Sequence, residues 1–313
     1  MASGAQSSVG KLFEYFPKLF AFDFVNQEVS QPNVIIFVGG LGDGLLTVPY
    51  VPKLAERVKN LTTKDGKWTV IQALISSSYI GWGTGSLERD AFEISQLVKH
   101  LRSEAGGSRK RIILMGHLTG SQDTMHYLAN LHSNKDTTPD AFIDGGIMQA
   151  PASDREALVE EKGKSKIDSL VNKCYVDYIS VGKKDFLLSE NDIPDIRAIT
   201  FGTPITAYRF HSITSVRGDD DFFSSYLTSE DHKKTFGKID KPVLILFGEH
   251  DEYIPPSVDK EKLVNSWKHA TNPKFWSSHS KIVPGASHNV GPNSKEGAVE
   301  CLIDSVAAFI LSL

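Results

Sequence analysis

The sequence predicts an α/β fold, with a mostly parallel central sheet, helices on both faces and an inserted helical cap. Short apolar runs alternate with longer amphipathic stretches, the pattern of strands feeding crossover helices. That alternation stops after Pro151 and resumes at Pro242. A third observation is local. Gly116-His117-Leu118-Thr119-Gly120 directly follows the apolar run Arg111-Ile112-Ile113-Leu114-Met115, which is the frame of a tight strand-to-helix turn.

Taken in order, Val34-Ile35-Ile36-Phe37-Val38 is β-branched and aromatic, ends in Gly39-Gly40, and predicts a buried strand. A helix is expected within Pro49–Leu61, apolar at Val51, Leu54, Ala55 and Val58. Trp68–Leu74 is the next strand, and Glu88–Leu101 the next helix, apolar at Phe92, Ile94, Leu97 and Val98. Ile112–Met115 leads into the turn, Gln122–Leu131 is the helix behind it, and Phe142–Gln149 is another strand. From Ser153 to about Phe236 the chain is rich in charge and offers no obvious buried strand. A structureless loop of that length is improbable in a compact domain, so a helical insertion is expected. The rhythm returns with the strand Pro242–Phe247, a helix near Val258–His269, a short strand at Ser280–Val283 and a final helix from about Glu296 to Leu311. The expected division is therefore a core of residues 1–151 and 237–313 with a cap of residues 152–236.

Composition narrows the function classes. With 313 residues, 40% hydrophobic content and a net charge of −4, the chain has no polybasic surface for nucleic acid or anionic lipid. No stretch approaches the roughly 18–20 apolar residues that span a bilayer. Met1-Ala2-Ser3-Gly4-Ala5-Gln6 has neither the basic nor the apolar region of a signal peptide. Cys174 and Cys301 read as two reduced thiols in a cytoplasmic protein. No His-x-x-x-His pair suggests a metal, and no cofactor is expected.

The chemistry is expected at three places that each follow a strand: Leu118, then Asp251, then His288. Nucleophile, acid and histidine in that order is the α/β-hydrolase arrangement, with Gly-x-Ser-x-Gly as its nucleophile elbow. The histidine would take a proton from the nucleophile and return it to the leaving group. The carboxylate would hold the imidazole tautomer. Asp251 is preferred to Glu249 because it lies where a loop must leave the strand end. At the elbow, however, leucine stands where the serine should be, and leucine has no lone pair. Thr119, Ser121 and Ser287 are poorly placed to replace it. The oxyanion donors are expected from the backbone of Thr119 and of Gly40 or Leu41. Gly40-x-Gly42-x-Gly44 has the wrong spacing for a dinucleotide fingerprint. Tyr79, Trp82, Tyr208 and Phe210, with Arg209 and the Asp219–Asp221 run, are expected to border the substrate entrance.

Several further stretches resemble the fungal fusarinine C esterase family. They are Gly39–Gly44, Ser77–Gly83, the elbow continuing through Asp123, Ala150–Ala157, Pro204–Phe210 and Gly218–Ser225, so the likeness runs from about residue 34 to the C-terminus. The resemblance implies a metal-independent serine esterase acting on ester bonds of hydroxamate siderophores, with iron released from the internalised ligand. It places the acid and histidine at Asp251 and His288, and the nucleophile at position 118, where this chain departs from the pattern. Three readings follow: a serine hydrolase for a small-molecule ester or lactone whose nucleophile has been replaced, a natural non-catalytic protein that binds a ligand or partner, and an enzyme using His288 as base without hydrolysis.

Overall fold

The computed structural model describes residues 7–25, 32–131 and 139–313. Met1–Gln6, read above for a signal peptide, lie outside the described residues. The chain begins with two antiparallel strands, β1 (Lys11–Phe16) and β2 (Leu19–Asp23), then β3 (Asn33–Val38). Next come α1 (Val51–Val58), a two-residue β4 (Thr62–Thr63), β5 (Gly66–Leu74), α2 (Leu87–Arg102), β6 (Arg111–His117), α3 (Thr119–His126) and β7 (Gly145–Gln149). Helices α4 (Asp154–Lys162), α5 (Lys164–Cys174), α6 (Ile196–Ile199), α7 (Ala207–Thr214) and α8 (Ser229–Lys234) follow. The chain closes with β8 (Val243–Gly248), α9 (Lys260–Ala270), β9 (Lys281–Val283) and α10 (Ala298–Ser312).

The strands order as β1-β2-β5-β3-β6-β7-β8-β9, with β4 folded back on β5. From β5 to β9 all neighbours on that path run parallel. Every residue of β3 is buried, as is every residue of β8, which is why both read as unbroken apolar runs. The period of two still sorts them. Val34, Ile36, Ile112 and Leu114 face one layer with α2, α3 and α9, whereas Ile35, Phe37, Ile113 and Met115 face α1 and α10. The helix ends are chemically marked: Ser86, Ser153, Thr206 and Asp259 each accept a first-turn N–H, and α8 starts with a Thr228–Asp231 capping box.

The structure differs from the sequence reading at four places. The sequence reading missed the β1–β2 hairpin although Leu19-Phe20-Ala21-Phe22 is an apolar run; most of the hairpin's residues are exposed or half-buried, with β1 at the sheet edge. Phe92 is 52% exposed, not core; it meets Phe16 edge-on at 5.8 Å, because its side of α2 faces β1 and solvent. The strand expected from Phe142 starts at Gly145, since the Phe142 carbonyl accepts from Arg102 Nη2, outside the ladder. The helix behind the elbow starts earlier than expected, at Thr119, and its last turn, Tyr127–Leu131, is π-helical.

Between β7 and β8 the helices build a separate apolar cluster. Leu170, Cys174, Ile193, Ile196, Ile199 and Phe210 pack there with Trp82, from the turn after β5. Arg209 is fully buried and pairs with Asp220, and its Nε donates to the Trp82 carbonyl at 3.1 Å. Among the described residues no helix is long and apolar enough to cross a membrane. Both cysteines are free, and burial pushes the Cys174 thiol up to about 12.

Candidate active site

Parallel pairing aligns the carboxyl ends of the strands. Val38 lies opposite Gly116, His117 opposite Gln149, and Gly248 opposite Val283. The loops leaving β3, β6, β8 and β9 therefore meet along one sheet edge, where ligands bind in open α/β sheets. A cavity of about 650 Å³ opens at that edge, lined by Leu118, His117 and His288 on the sheet side and by residues of α4 and α7 opposite.

Leu118 has φ +50° and ψ −117°. This lies in a region that branched side chains rarely adopt, so the surrounding structure must impose it. It does so through the glycines. A Cβ on Gly116 would lie 1.8 Å from the Gly120 carbonyl oxygen, and one on Gly120 would lie 2.3 Å from that of Val38. The turn can therefore close only with both glycines. The Leu118 amide donates to the Gln149 carbonyl at 3.1 Å, and its own carbonyl accepts from Ser121 at 2.8 Å. The half-buried side chain leans on the β3 loop: a Cβ on Gly40 would be 2.5 Å from Leu118 Cβ and 2.8 Å from Cδ2.

His288 Nδ1 lies 3.0 and 2.9 Å from the two Asp251 oxygens, and each residue is only 4% exposed. A proton on Nδ1 donated to that carboxylate leaves Nε2 with a lone pair. Nε2 is buried and has no hydrogen-bond partner among the described residues. The loop is held from both sides. Gln149 Nε2 donates to the His288 carbonyl at 3.0 Å, and the His288 amide donates to Glu252 Oε2 at 2.9 Å. The Tyr253 ring stands edge-on at 4.6 Å.

His117 shares this floor, its ring centroid 5.0 Å from that of His288. Its Nδ1 pairs with Gln149 Oε1 at 2.6 Å, the oxygen that also accepts from Tyr50. Burial and the neighbouring His288 lower its pKa to about 4, so near neutral pH it is uncharged. Gln149 thus holds the His117 ring and the His288 backbone. Nothing in the sequence marks Gln149, apart from an amide at the end of an apolar strand.

Of the expected oxyanion donors, Gly40 is excluded: its N–H donates to Asp43 Oδ2 at 2.8 Å. Its part is to lack a Cβ beneath Leu118. The Leu41 N–H makes no hydrogen bond among the described residues. Thr119 opens α3, where an N–H has no acceptor within the helix.

Trp82, Phe210 and Tyr79 line the cavity, and Tyr79 is fixed by its amide donating to the Asp43 carbonyl at 2.7 Å. Tyr208 is not among the lining residues; its hydroxyl donates to Asp219 at 2.7 Å. Arg209 and the acidic run also leave the entrance. Asp220 is spent on Arg209, and Asp221 accepts from the Arg217 amide, Ser224 and Tyr226, because the helical segment consumes these charges internally. Ser121 donates to the Gly116 and Gln149 carbonyls and Ser287 pairs with Ser294, so neither hydroxyl faces His288 Nε2. Asp154, at the start of α4, is a lining residue the sequence reading missed. Burial and nearby Asp220 push its carboxyl up to about 7.

Residues 1–311 match a family described as "Protein of unknown function (DUF1749)". A UPF0613 protein of Schizosaccharomyces pombe is 39% identical, covering 98% of this chain and 98% of its own length. Fusarinine C esterase sidJ of Aspergillus fumigatus is 32% identical over 97% of this chain and 96% of its own. Among solved structures, siderophore hydrolase EstB from Aspergillus fumigatus superposes with a TM-score of 0.80 at 31% identity, covering 99% of each chain. The fold is that of the α/β-hydrolases.

Proposed function

The chain belongs to the DUF1749 family, and on that premise we propose that its cavity is the site of a serine-type ester hydrolase from which the nucleophile is missing. Its substrate class would be a small-molecule ester or lactone, with hydroxamate siderophore esters as the candidates that the named relatives suggest. In this reading Leu118 occupies the nucleophile's place, Asp251 orients His288, His288 Nε2 is the base, and the Leu41 and Thr119 amides receive the oxyanion. Residues 152–236 act as the cap over a core of 1–151 and 237–313. The observation that carries the reading is His288, a cavity-lining residue whose buried imidazole pairs with a buried carboxylate and whose second nitrogen has no partner among the described residues. Leaving such a group unsatisfied costs about 1–3 kcal/mol, which packing alone gives no reason to retain.

With leucine at 118, the chain as it stands binds esters without turning them over. Leucine can neither form an acyl intermediate nor exchange a proton with His288. The same side chain lies against Gly40, beside the Leu41 and Thr119 amides, and so narrows the oxyanion site. That contact favours the second reading, a ligand-binding protein, for the unaltered chain. Leu118→Ser tests both readings on a short-chain nitrophenyl ester. The variant is expected to hydrolyse it and to be inactivated by a serine-directed phosphonate, while the parent chain stays at the uncatalysed rate. A folded but inert variant contradicts the hydrolase reading.

A further inference from the structure

The cavity is lopsided in charge. Asp43, Asp154, Glu161 and Glu252 line it, and no lysine or arginine does so among the described residues. Two of these carboxylates are already engaged in the fold. Asp43 accepts from Gly40 and Thr47, and Glu252 accepts from the His288 amide. The other two stand on one face of α4. Asp154, Ala157, Leu158 and Glu161 are spaced i, i+3, i+4, i+7, and all four line the cavity. The wall is therefore a short apolar strip with a carboxylate at each end, separated by about 10 Å along the helix.

The hydrogen-bonding inventory leans the same way. Asp154 receives one side-chain hydrogen bond, from Gln122 Nε2 at 3.1 Å, which leaves its other oxygen open. Glu161 is half exposed and is met by Lys162. His288, 4% exposed, contributes an unpartnered Nε2 that accepts. The ionisable groups of this floor and wall are thus acceptors or anions, so a ligand that brings positive charge complements them, whereas the donors of Trp82, Tyr253 and Asn289 in the lining are neutral. At the elbow the open donors are the backbone amides of Leu41 and Thr119, which suit an ester carbonyl. Asp154 is also costly to the fold, because its carboxyl is desolvated and stands near Asp220. Such a cost is expected of a residue kept for a ligand.

We propose that the α4 wall recognises a protonated amine, so that the preferred ligands are esters carrying an ammonium group a few methylenes from the ester carbon. This rests on reading the cavity as an ester site. The ester carbonyl lies toward Leu41 and Thr119, the methylenes along Ala157 and Leu158, and the ammonium against Asp154 or Glu161. An anionic ester of equal length meets the same carboxylates as repulsion, and like-charge juxtaposition is a strong device of selectivity.

The test is calorimetric binding to the unaltered, full-length chain at pH 8 and low salt. Three probes of similar length are compared: ethyl 6-aminohexanoate, ethyl heptanoate and monoethyl adipate. The ammonium ester is expected to bind at least about tenfold more tightly than the anionic one, the neutral ester falling between, and the gap should shrink with added salt. In Asp154→Asn with Glu161→Gln the gap should close to within about twofold. Glu161→Gln alone, at an exposed position, should narrow it by at least about twofold and covers the case in which the double variant fails to fold. Equal or tighter binding of monoethyl adipate, a preference that survives both substitutions, or no saturable binding of the ammonium ester overturns the proposal. Because binding is read on the Leu118 chain, an inert Leu118→Ser variant would sink the hydrolase reading and leave this preference standing.

Discussion

The elbow and the acid–histidine loops sit on the same sheet edge but are held there by different constraints. At the elbow the constraint is on the backbone. Gly116 and Gly120 have no room for a Cβ, and the unusual φ of residue 118 follows from them, whatever side chain it carries. At Asp251 and His288 the constraint is on a pair of side chains, buried and mutually bonded, with Gln149 and Glu252 holding the His288 backbone. On the proposed reading, the difference explains how leucine can stand in the nucleophile's place while the site around it stays formed. A side chain can be exchanged at the elbow without disturbing its frame, whereas removing either member of the acid–histidine pair strands the other.

The sharpest way to break this comparison is chemical. In the Leu118→Ser background, His288→Ala should lower ester turnover by several orders of magnitude, and Asp251→Asn by about 10⁴-fold. Steady-state rates with a nitrophenyl ester measure both. Activity that survives His288→Ala would mean that the two regions are not one machine.

Next in size is an effect on stability. Gly116→Ala drives a methyl group into the Gly120 carbonyl and is expected to cost about 3 kcal/mol, the upper end of the usual overpacking range. Leu118→Ser should change stability far less, since the frame does not depend on that side chain. Urea unfolding of the two variants compares them directly, and equal losses would refute the distinction between backbone and side-chain constraint.

The smallest expected effect concerns Asp154, whose folded pKa is raised to about 7. An acid with a raised pKa is stabilising, relative to its ionised form, while it stays protonated. That contribution is lost as pH rises from about 4, the ordinary carboxylate value, through about 7. Asp154→Asn should therefore raise Tm at pH 8 and leave it nearly unchanged at pH 4. A larger gain at pH 4 would contradict the desolvation of this carboxyl.

Much of this was legible in the sequence because the relevant signals are local. Buried parallel strands such as β3, β6 and β8 read as apolar runs, and the elbow reads as two glycines four residues apart. Asp251 could be named because it closely follows such a strand, and His288 because it follows the short strand β9. What escaped depends on distant partners. Gln149 matters only because β7 brings it between two imidazoles, and Asp154 only because α4 turns one face to the cavity. Arg209, Tyr208 and Asp219–Asp221 looked like an entrance in one dimension but satisfy one another in three. Gly40 failed as an oxyanion donor because Asp43, three residues on, folds back to accept its N–H.

The most direct test of the central claim is covalent. Leu118→Ser and the parent chain are each treated with a fluorophosphonate, then digested and mapped by mass spectrometry. The account predicts a stoichiometric adduct at position 118 in the variant, dependent on His288, and none in the parent. A folded variant that stays unlabelled, or label found at Thr119, Ser121 or Ser287 instead, would contradict it.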